Sequence, residues 1–376
     1  MGVLDHEQAR TLRARGQGIG GNVRFGSAAE VVERVLAVQA QDSRAGALGI
    51  RVRANGLTCA DVRRALEEDR SIVRGWFLRG TLHMVPSTDA RWLLGLLGPH
   101  FLRLSARRYR ELGLDEALCD RAEGVLVKVL GDEGPSTRAQ LTEHLASVGV
   151  SPHGQAVFHL IRRAALRGVV CHGPERDGEA TFVLVADWLP ARAGGPTGEA
   201  AESELARRYL RAHAPASPQD FATWSGLPQT AARRAWHTLG TTGHLTPCHI
   251  LDESSTLPRD RVAEVGLAPP AAPDVRLLPA YDNYLLGYRS RALSVPPAHE
   301  RQVWPGGGQI RPTVVADGLA RGTWARGRGG ADTTVSLFPS QPGEAAALAG
   351  GIAAETADIA RFLGVSGGRN VRRTGQ

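Results

Sequence analysis

The feature that most constrains this chain is a recurring pattern: three helical segments, then two short strands rich in Val, Ile and aromatic residues. The first copy runs from about Leu4 to Pro86. Asp5 to Arg15 has a helical pattern, and Ser27 caps a helix whose Val31, Val32, Val35, Leu36 and Val38 share one face. Thr58 caps a third helix, Cys59 to Arg70. Ser71 to Phe77 and Arg79 to Val85 then read as a hairpin broken by glycine. Helix–helix–helix–hairpin is the plan of a winged helix. An amphipathic connector, Asp89 to Leu112, follows and carries Arg103, Arg107, Arg108 and Arg110, which could meet phosphates.

The plan returns twice. Asp115 to Leu130, a helix capped by Ser136 or Thr137, and Pro152 to Arg167, with Pro152 in its first turn, precede wing strands at Val169-Val170 and Thr181 to Val185. A looser third copy spans Glu202 to Thr246. Past Ala268 the character changes. Pro269, Pro270 and Pro273 mark a turn; short strands follow at Val275, Val314, Thr323 and Thr333, then a helix from Glu344 to Leu363 and a mobile Gly- and Arg-rich tail. The expected fold is α+β: three tandem winged helices (1–113 including the connector, 114–195, 196–267) and a small β-barrel-like C-terminal domain (268–376).

With 376 residues the chain is long enough for two to four domains. Its net charge of +7 is carried almost wholly by arginine, Lys128 being the lone lysine. Codon bias toward Ala, Gly, Arg and Val is one explanation. A polyanionic partner is the other, because the planar guanidinium grips phosphate oxygens in pairs. Cys59, Cys119, Cys171 and Cys248 are too widely spaced for a zinc ribbon, an iron–sulfur cluster or a disulfide framework. No metal or cofactor is expected. The first residues lack an apolar signal core, and no apolar run is long enough for a membrane span. The expectation is a cytoplasmic, nucleoid-associated monomer.

Gly16 to Gly21 fits G-x-G-x-x-G, but it follows a helix rather than a strand, so it reads as a helix end and turn, not a dinucleotide site. In the helix expected at 152–167, Val157, Leu160, Ile161 and Ala164 face a core. His153, Gln155, His159, Arg162 and Arg163 are left for a groove or for solvent. Gln39 and Gln41 have two readings. On a continuing helix they point about 200° apart and are surface; on an extended segment they share a side, and two carboxamides can then hold one water. Asp42 either polarises that water or serves a helix end with a partner such as Arg44.

These residues carry a resemblance. Gln39-Ala-Gln41-Asp42, Arg79-Gly-Thr81-Leu-His83-Met-Val-Pro, the stretch from Leu277 through Asp282 and Arg289 to Arg291, and Ala316 to Trp324 lie in the same order as in the AlkZ/YcaQ family of bacterial DNA glycosylases. The second glutamine, Gln41, resembles the AlkZ branch; the YcaQ branch has aspartate there. The resemblance implies a C-shaped protein of three winged helices and a β-barrel. It places Gln39 and Gln41, as catalytic residues, on the concave face with His83 close by, Thr81 sharing a strand face with His83. The implied partner is double-stranded DNA bearing N7-alkylguanine adducts, including bulky or crosslinked ones, in self-resistance to a genotoxin.

An N7-alkylguanine is already cationic and a good leaving group. Placing a water and stabilising an oxocarbenium-like sugar with oriented dipoles is then enough. Arg44, Arg79, Arg162, Arg163 and Trp304 are the candidates for DNA contact, Trp304 on a Gly-rich stretch, 302–311, that is either a groove-entering hairpin or a surface loop. Asp282 is expected to anchor the barrel through Arg289 or Arg291, and His83 is either part of the site or a satisfied structural histidine. The alternative to the enzyme is a non-enzymatic winged-helix binder, a regulator or damage sensor.

Overall fold

The computed structural model describes residues 2–21, 23–191, 194–267, 272–327, 332–339, 341–365 and 372–373. They form a mixed α+β fold that groups into two compact units, residues 1–62 with 203–376, and residues 63–202. The boundary between the two units at residues 62–63 falls inside the first module expected from the sequence, 1–113. No helix among the described residues is long and apolar enough to cross a membrane.

In the 63–202 unit, strands Ile72–Trp76 and Leu82–Pro86 pair antiparallel with Gly75 opposite His83. Between them Arg79 (φ 54°) and Gly80 (φ 66°) take left-handed backbone. A Cβ on Gly80 would lie 2.6 Å from the Arg162 guanidinium and 3.3 Å from Phe101, so only glycine fits there. Helices Ser87–Glu111, Glu116–Asp132, Arg138–Ala146 and Ala156–Leu166 follow, and then strands Val170–His172 and Thr181–Leu184, the latter flanked also by Ser136–Thr137. Thr137, in a reciprocal capping box with Gln140, starts the 138–146 helix. The last of the four helices begins at Ala156 and not at Pro152, because Gly154 (φ 83°) holds the preceding residues in a turn. Trp76 stacks on His172 and Phe182 at ring distances of 5.4 and 6.3 Å to close this core.

In the other unit, Asp5 caps helix His6–Gly16 with a capping box, Ser27 caps Ala28–Val35, and Asp42 caps a helix, Ser43–Arg51, that the periodicity did not reveal. Gly46 and Gly49 lower its intrinsic propensity. They also explain why it forms here: a Cβ on Gly46 would come within 3.2 Å of Ala40, so the helix lies directly on the 39–40 backbone. From residue 203 on come helices Pro218–Ser225 and Gln229–Thr241 and the hairpin Leu245–Ile250/Glu253–Pro258, which Val3–Leu4 joins in parallel. The Gly16–Gly21 stretch lies at the end of the first helix.

The C-terminal strands Val275–Leu278, Thr313–Ala316, Leu319–Arg326, Thr333–Leu337 and Arg372–Arg373 form one sheet in that order. It is open, so the barrel expected from the sequence is corrected. The first strand is closed off by side chains instead of another strand. Leu277 N–H donates to Glu355 of helix Glu344–Leu363 at 2.9 Å, and Leu277 C=O accepts from Arg51 at 3.2 Å. Arg51 and Glu355 are themselves paired at 2.9 Å. An edge whose polar groups are satisfied in this way has no need of a partner strand. The Pro269-Pro270 turn and tail residues 366–371 and 374–376 lie outside the described residues.

Asp282 does not pair with Arg289 or Arg291. Its two carboxylate oxygens each accept from Arg53 at 2.8 Å, both side chains being essentially sealed from water. Arg53 also donates to Gly49 C=O, and Asp282 caps Tyr284 N–H at 2.9 Å. Burial decides the pairing, because a carboxylate inside the protein must meet a buried cation and Arg291 is exposed beside Glu300. Arg289 instead offers its backbone N–H to Asp220. Asp282→Asn leaves the buried Arg53 charge without its counter-ion, and the expected cost is about 3–5 kcal/mol of stability. Urea unfolding of the full chain measures it; an unchanged midpoint would show that the pair does not hold this unit together.

Candidate active site

The helix Ala28–Val35 stops without a glycine or proline. Leu36 is buried with φ 62° and ψ −43°, and Ala37 N–H donates to Val35 C=O at 2.9 Å, which makes a γ-turn around Leu36. Backbone of this kind is costly for a branched residue and clusters at functional sites. The chain leaves it extended, with strand Val38–Gln39 and then Ala40, Gln41 and Asp42. Ala40 is fully buried, while Gln39 is half-buried and Gln41 exposed. Of the two readings open from the sequence, the continuing helix does not apply, because the helix ends at Val35; Gln39 ends a short strand and Gln41 lies at a bend just before the Asp42 cap.

Asp42 Oδ1 accepts from Arg44 N–H at 2.8 Å and Ala45 N–H at 3.1 Å, the geometry of an N-cap. Its partner is therefore the backbone of Arg44 and not the guanidinium, which is exposed. A carboxylate engaged in this way fixes where the helix starts and so where Gln41 ends up.

The second group of expected residues sits on the strand pair of the 63–202 unit. His83 is buried. Its Nδ1–H donates to Thr81 C=O at 3.0 Å, since that oxygen can only accept, and its Nε2 accepts from Arg79 at 3.3 Å. Burial, with the Arg79 charge adding to it, lowers the His83 pKa to about 3. Burial also lowers Arg79, to about 10. A histidine so held is neutral near pH 7 and cannot serve as a general acid; it can only orient its neighbours.

The arginines divide. Arg162 is half-buried, donating to Ser105 Oγ at 2.8 Å and Gly80 C=O at 3.3 Å. Arg163 is buried, its guanidinium taken by Glu116 and facing Glu123, so it leaves the DNA-contact set for a structural role. His153 and Gln155, ahead of the helix, are exposed. Trp304 is half-buried beneath Arg291, 4.5 Å from its ring, and next to a tight Gly306–Gln309 turn that is exposed. No group of metal ligands occurs among the described residues.

A family model of AlkZ-like DNA glycosylases matches residues 32–362 of the chain. The chain belongs to that family. Among its relatives, an interstrand DNA cross-link repair glycosylase of Streptomyces sahachiroi is 28% identical over 313 residues, covering 79% of this chain and 82% of the relative. The solved structure of the Streptomyces sahachiroi DNA glycosylase AlkZ superposes with a TM-score of 0.84 at 26% identity, covering 99% of this chain and 100% of the other. This AlkZ-like protein is therefore an enzyme, a DNA glycosylase, and its substrate is DNA.

The depressed histidine gives a prediction. Unfolded His83 takes up a proton near pH 6.5, but the folded residue does so only near 3. Stability should therefore be full above pH 6.5 and fall as pH drops toward 3, by roughly 1 kcal/mol per unit for each such residue. His172, also lowered to about 3 by burial, adds a second share. In acid titrations of unfolding free energy, His83→Gln should lower that slope by roughly 1 kcal/mol per pH unit between 6.5 and 3. An unaltered slope would mean that His83 is protonated in the folded protein.

Proposed function

We propose that this glycosylase hydrolyses the N-glycosidic bond of N7-alkylguanines in duplex DNA, with Gln39 and Gln41 positioning the attacking water and stabilising the oxocarbenium-like sugar. The observation that supports the reading is the break of the helix at the Leu36 γ-turn into the short strand Val38–Gln39, which takes Gln39 and Gln41 out of a helix in which they would point apart. Carboxamides are too weakly basic to activate water against an undamaged nucleoside. They suffice where alkylation has already made the base cationic, so selectivity is chemical rather than steric. That favours bulky and crosslinked adducts among the substrates, in line with the cross-link repair activity named for the Streptomyces sahachiroi relative. A role in resistance to the agent that makes them follows, in a monomer acting on chromosomal DNA.

The helix–helix–helix–hairpin segments are read as winged-helix modules that grip the duplex, with Arg44, Arg79 and Arg162 the remaining arginine contacts. The single lysine, Lys128, is exposed on helix Glu116–Asp132, where nothing suits it to Schiff-base chemistry. The reaction therefore ends at an intact abasic site.

Incubation of the protein with duplex carrying N7-methylguanine or a bulky N7 adduct, followed by hot alkali, is expected to give breaks only after the alkali step. Gln39→Ala and Gln41→Ala should each slow single-turnover excision ~10- to 1000-fold while duplex binding persists. Full activity in the double variant would end the assignment.

A further inference from the structure

A cavity of about 700 Å³ opens in the unit of residues 1–62 and 203–376, between Arg34 on helix Ala28–Val35, Leu210 and Arg211 on helix Gly198–His213, and the Arg259–Arg261 stretch that follows strand Glu253–Pro258. Its lining includes neither Gln39 nor Gln41. Five arginines face two carboxylates there.

Their pairing is uneven. Arg261 is buried and spent: it donates to Leu12 C=O at 2.7 Å, to Ala214 C=O at 3.2 Å and to both oxygens of Glu264. Arg207 is closed on Glu204. Arg34 donates its Nε–H to Gly16 C=O at 2.9 Å, which holds the side chain in place. Among the described residues no hydrogen bond or ion pair reaches its two terminal amino groups, or the guanidiniums of Arg211 and Arg259. Burial, then repulsion from Arg261 and Arg211, lowers the Arg34 pKa to about 10. The two carboxylates, Glu264 and the exposed Asp260, offset part of this repulsion, but five arginines leave the lining cationic. Folding that buries Arg34 beside Arg211 and Arg261, in a lining that Arg259 also joins, costs free energy, which an anion seated there returns. The cavity is too large for a bare phosphate, and Leu210, Leu245 and Pro258 give it apolar walls suited to a sugar.

We propose that this cavity binds a phosphate ester, specifically a phosphodiester of the DNA backbone, through Arg34, Arg211 and Arg259. The proposal rests on the DNA glycosylase reading. It ties the grip on DNA to the reacting segment, because Arg34 lies in the last turn of the helix that runs through Leu36 into Gln39.

The test measures full-length protein binding to an undamaged duplex as a function of salt. Arg211→Gln/Arg259→Gln removes two guanidiniums that hold nothing else, and Lys128→Gln, an exposed cation absent from the lining, is the control. The double variant should bind roughly 10-fold more weakly and lose about one to two units of the slope of log K against log salt, with the control unchanged. Arg34→Gln, once its melting curve shows it folded, should do the same. An affinity and slope equal to wild type overturns the proposal, whereas a wild type that fails to bind duplex strikes at the parent reading. A parallel arm adds inorganic phosphate or deoxyadenosine monophosphate. If these raise the wild-type melting temperature but not the variant's, while the DNA slope is unaffected, the backbone assignment falls in favour of a free phosphate ester.

Discussion

Arg53 and Asp282 stand 229 residues apart in sequence and form a two-bond ion pair with almost no access to water. Around it the 1–62 and 203–376 unit is organised. Arg53 also reaches Gly49 C=O and Gln17 Oε1, which joins the first helix, the 43–51 helix and the segment beginning at Asp282. Two residues before it, Arg51 closes the sheet edge with Glu355. A buried ion pair need not be the most stable way to fill a core, but breaking one half leaves a charge with no solvent, so the geometry is strongly specified. The 43–51 helix rests on the 39–40 backbone through Gly46, and Asp42 sets its first turn; hence the position of the 39–41 segment depends on this same helix.

Aromatic packing extends the same knot. Tyr209, fully buried, donates to Gly287 C=O at 2.7 Å, and Tyr284 to Gly318 C=O at 2.7 Å. Trp224 donates to Asn283 at 3.3 Å. The Tyr281–Tyr288 stretch, which the sequence marks as an acidic residue in an aromatic run, is a structural hub in which each polar atom finds a partner because the rings around it exclude water.

The arginine surplus is spent in two ways. Arg13, Arg51, Arg53, Arg163 and Arg261 are buried and satisfy carboxylates or carbonyls inside the protein. Others, such as Arg44, stay at the surface. A count of charges therefore overstates the charge available to a polyanion. The same planar fork suits both tasks, so composition cannot separate them. Arg162 and Arg163 illustrate the point: helical periodicity placed them off the core face, but neighbouring elements brought Ser105 and Glu116 to their guanidiniums.

By itself the sequence determined what local chemistry decides. The cap at Ser27, the hydroxyl cap of the 138–146 helix, the long C-terminal helix and the end of the first helix near Gly16 all follow from side chains acting within one turn of themselves. Only the tertiary structure decided that the chain leaves the helix before Gln39, because the Leu36 γ-turn has no glycine or proline to announce it; the burial of Leu36 and the Ala37–Val35 hydrogen bond hold it. Likewise, which carboxylate meets Arg53, which arginines are withdrawn from the surface and whether the last sheet closes were set by groups brought together over hundreds of residues. The cost of burying a charge depends on what arrives beside it, and that is not written in its neighbours along the chain.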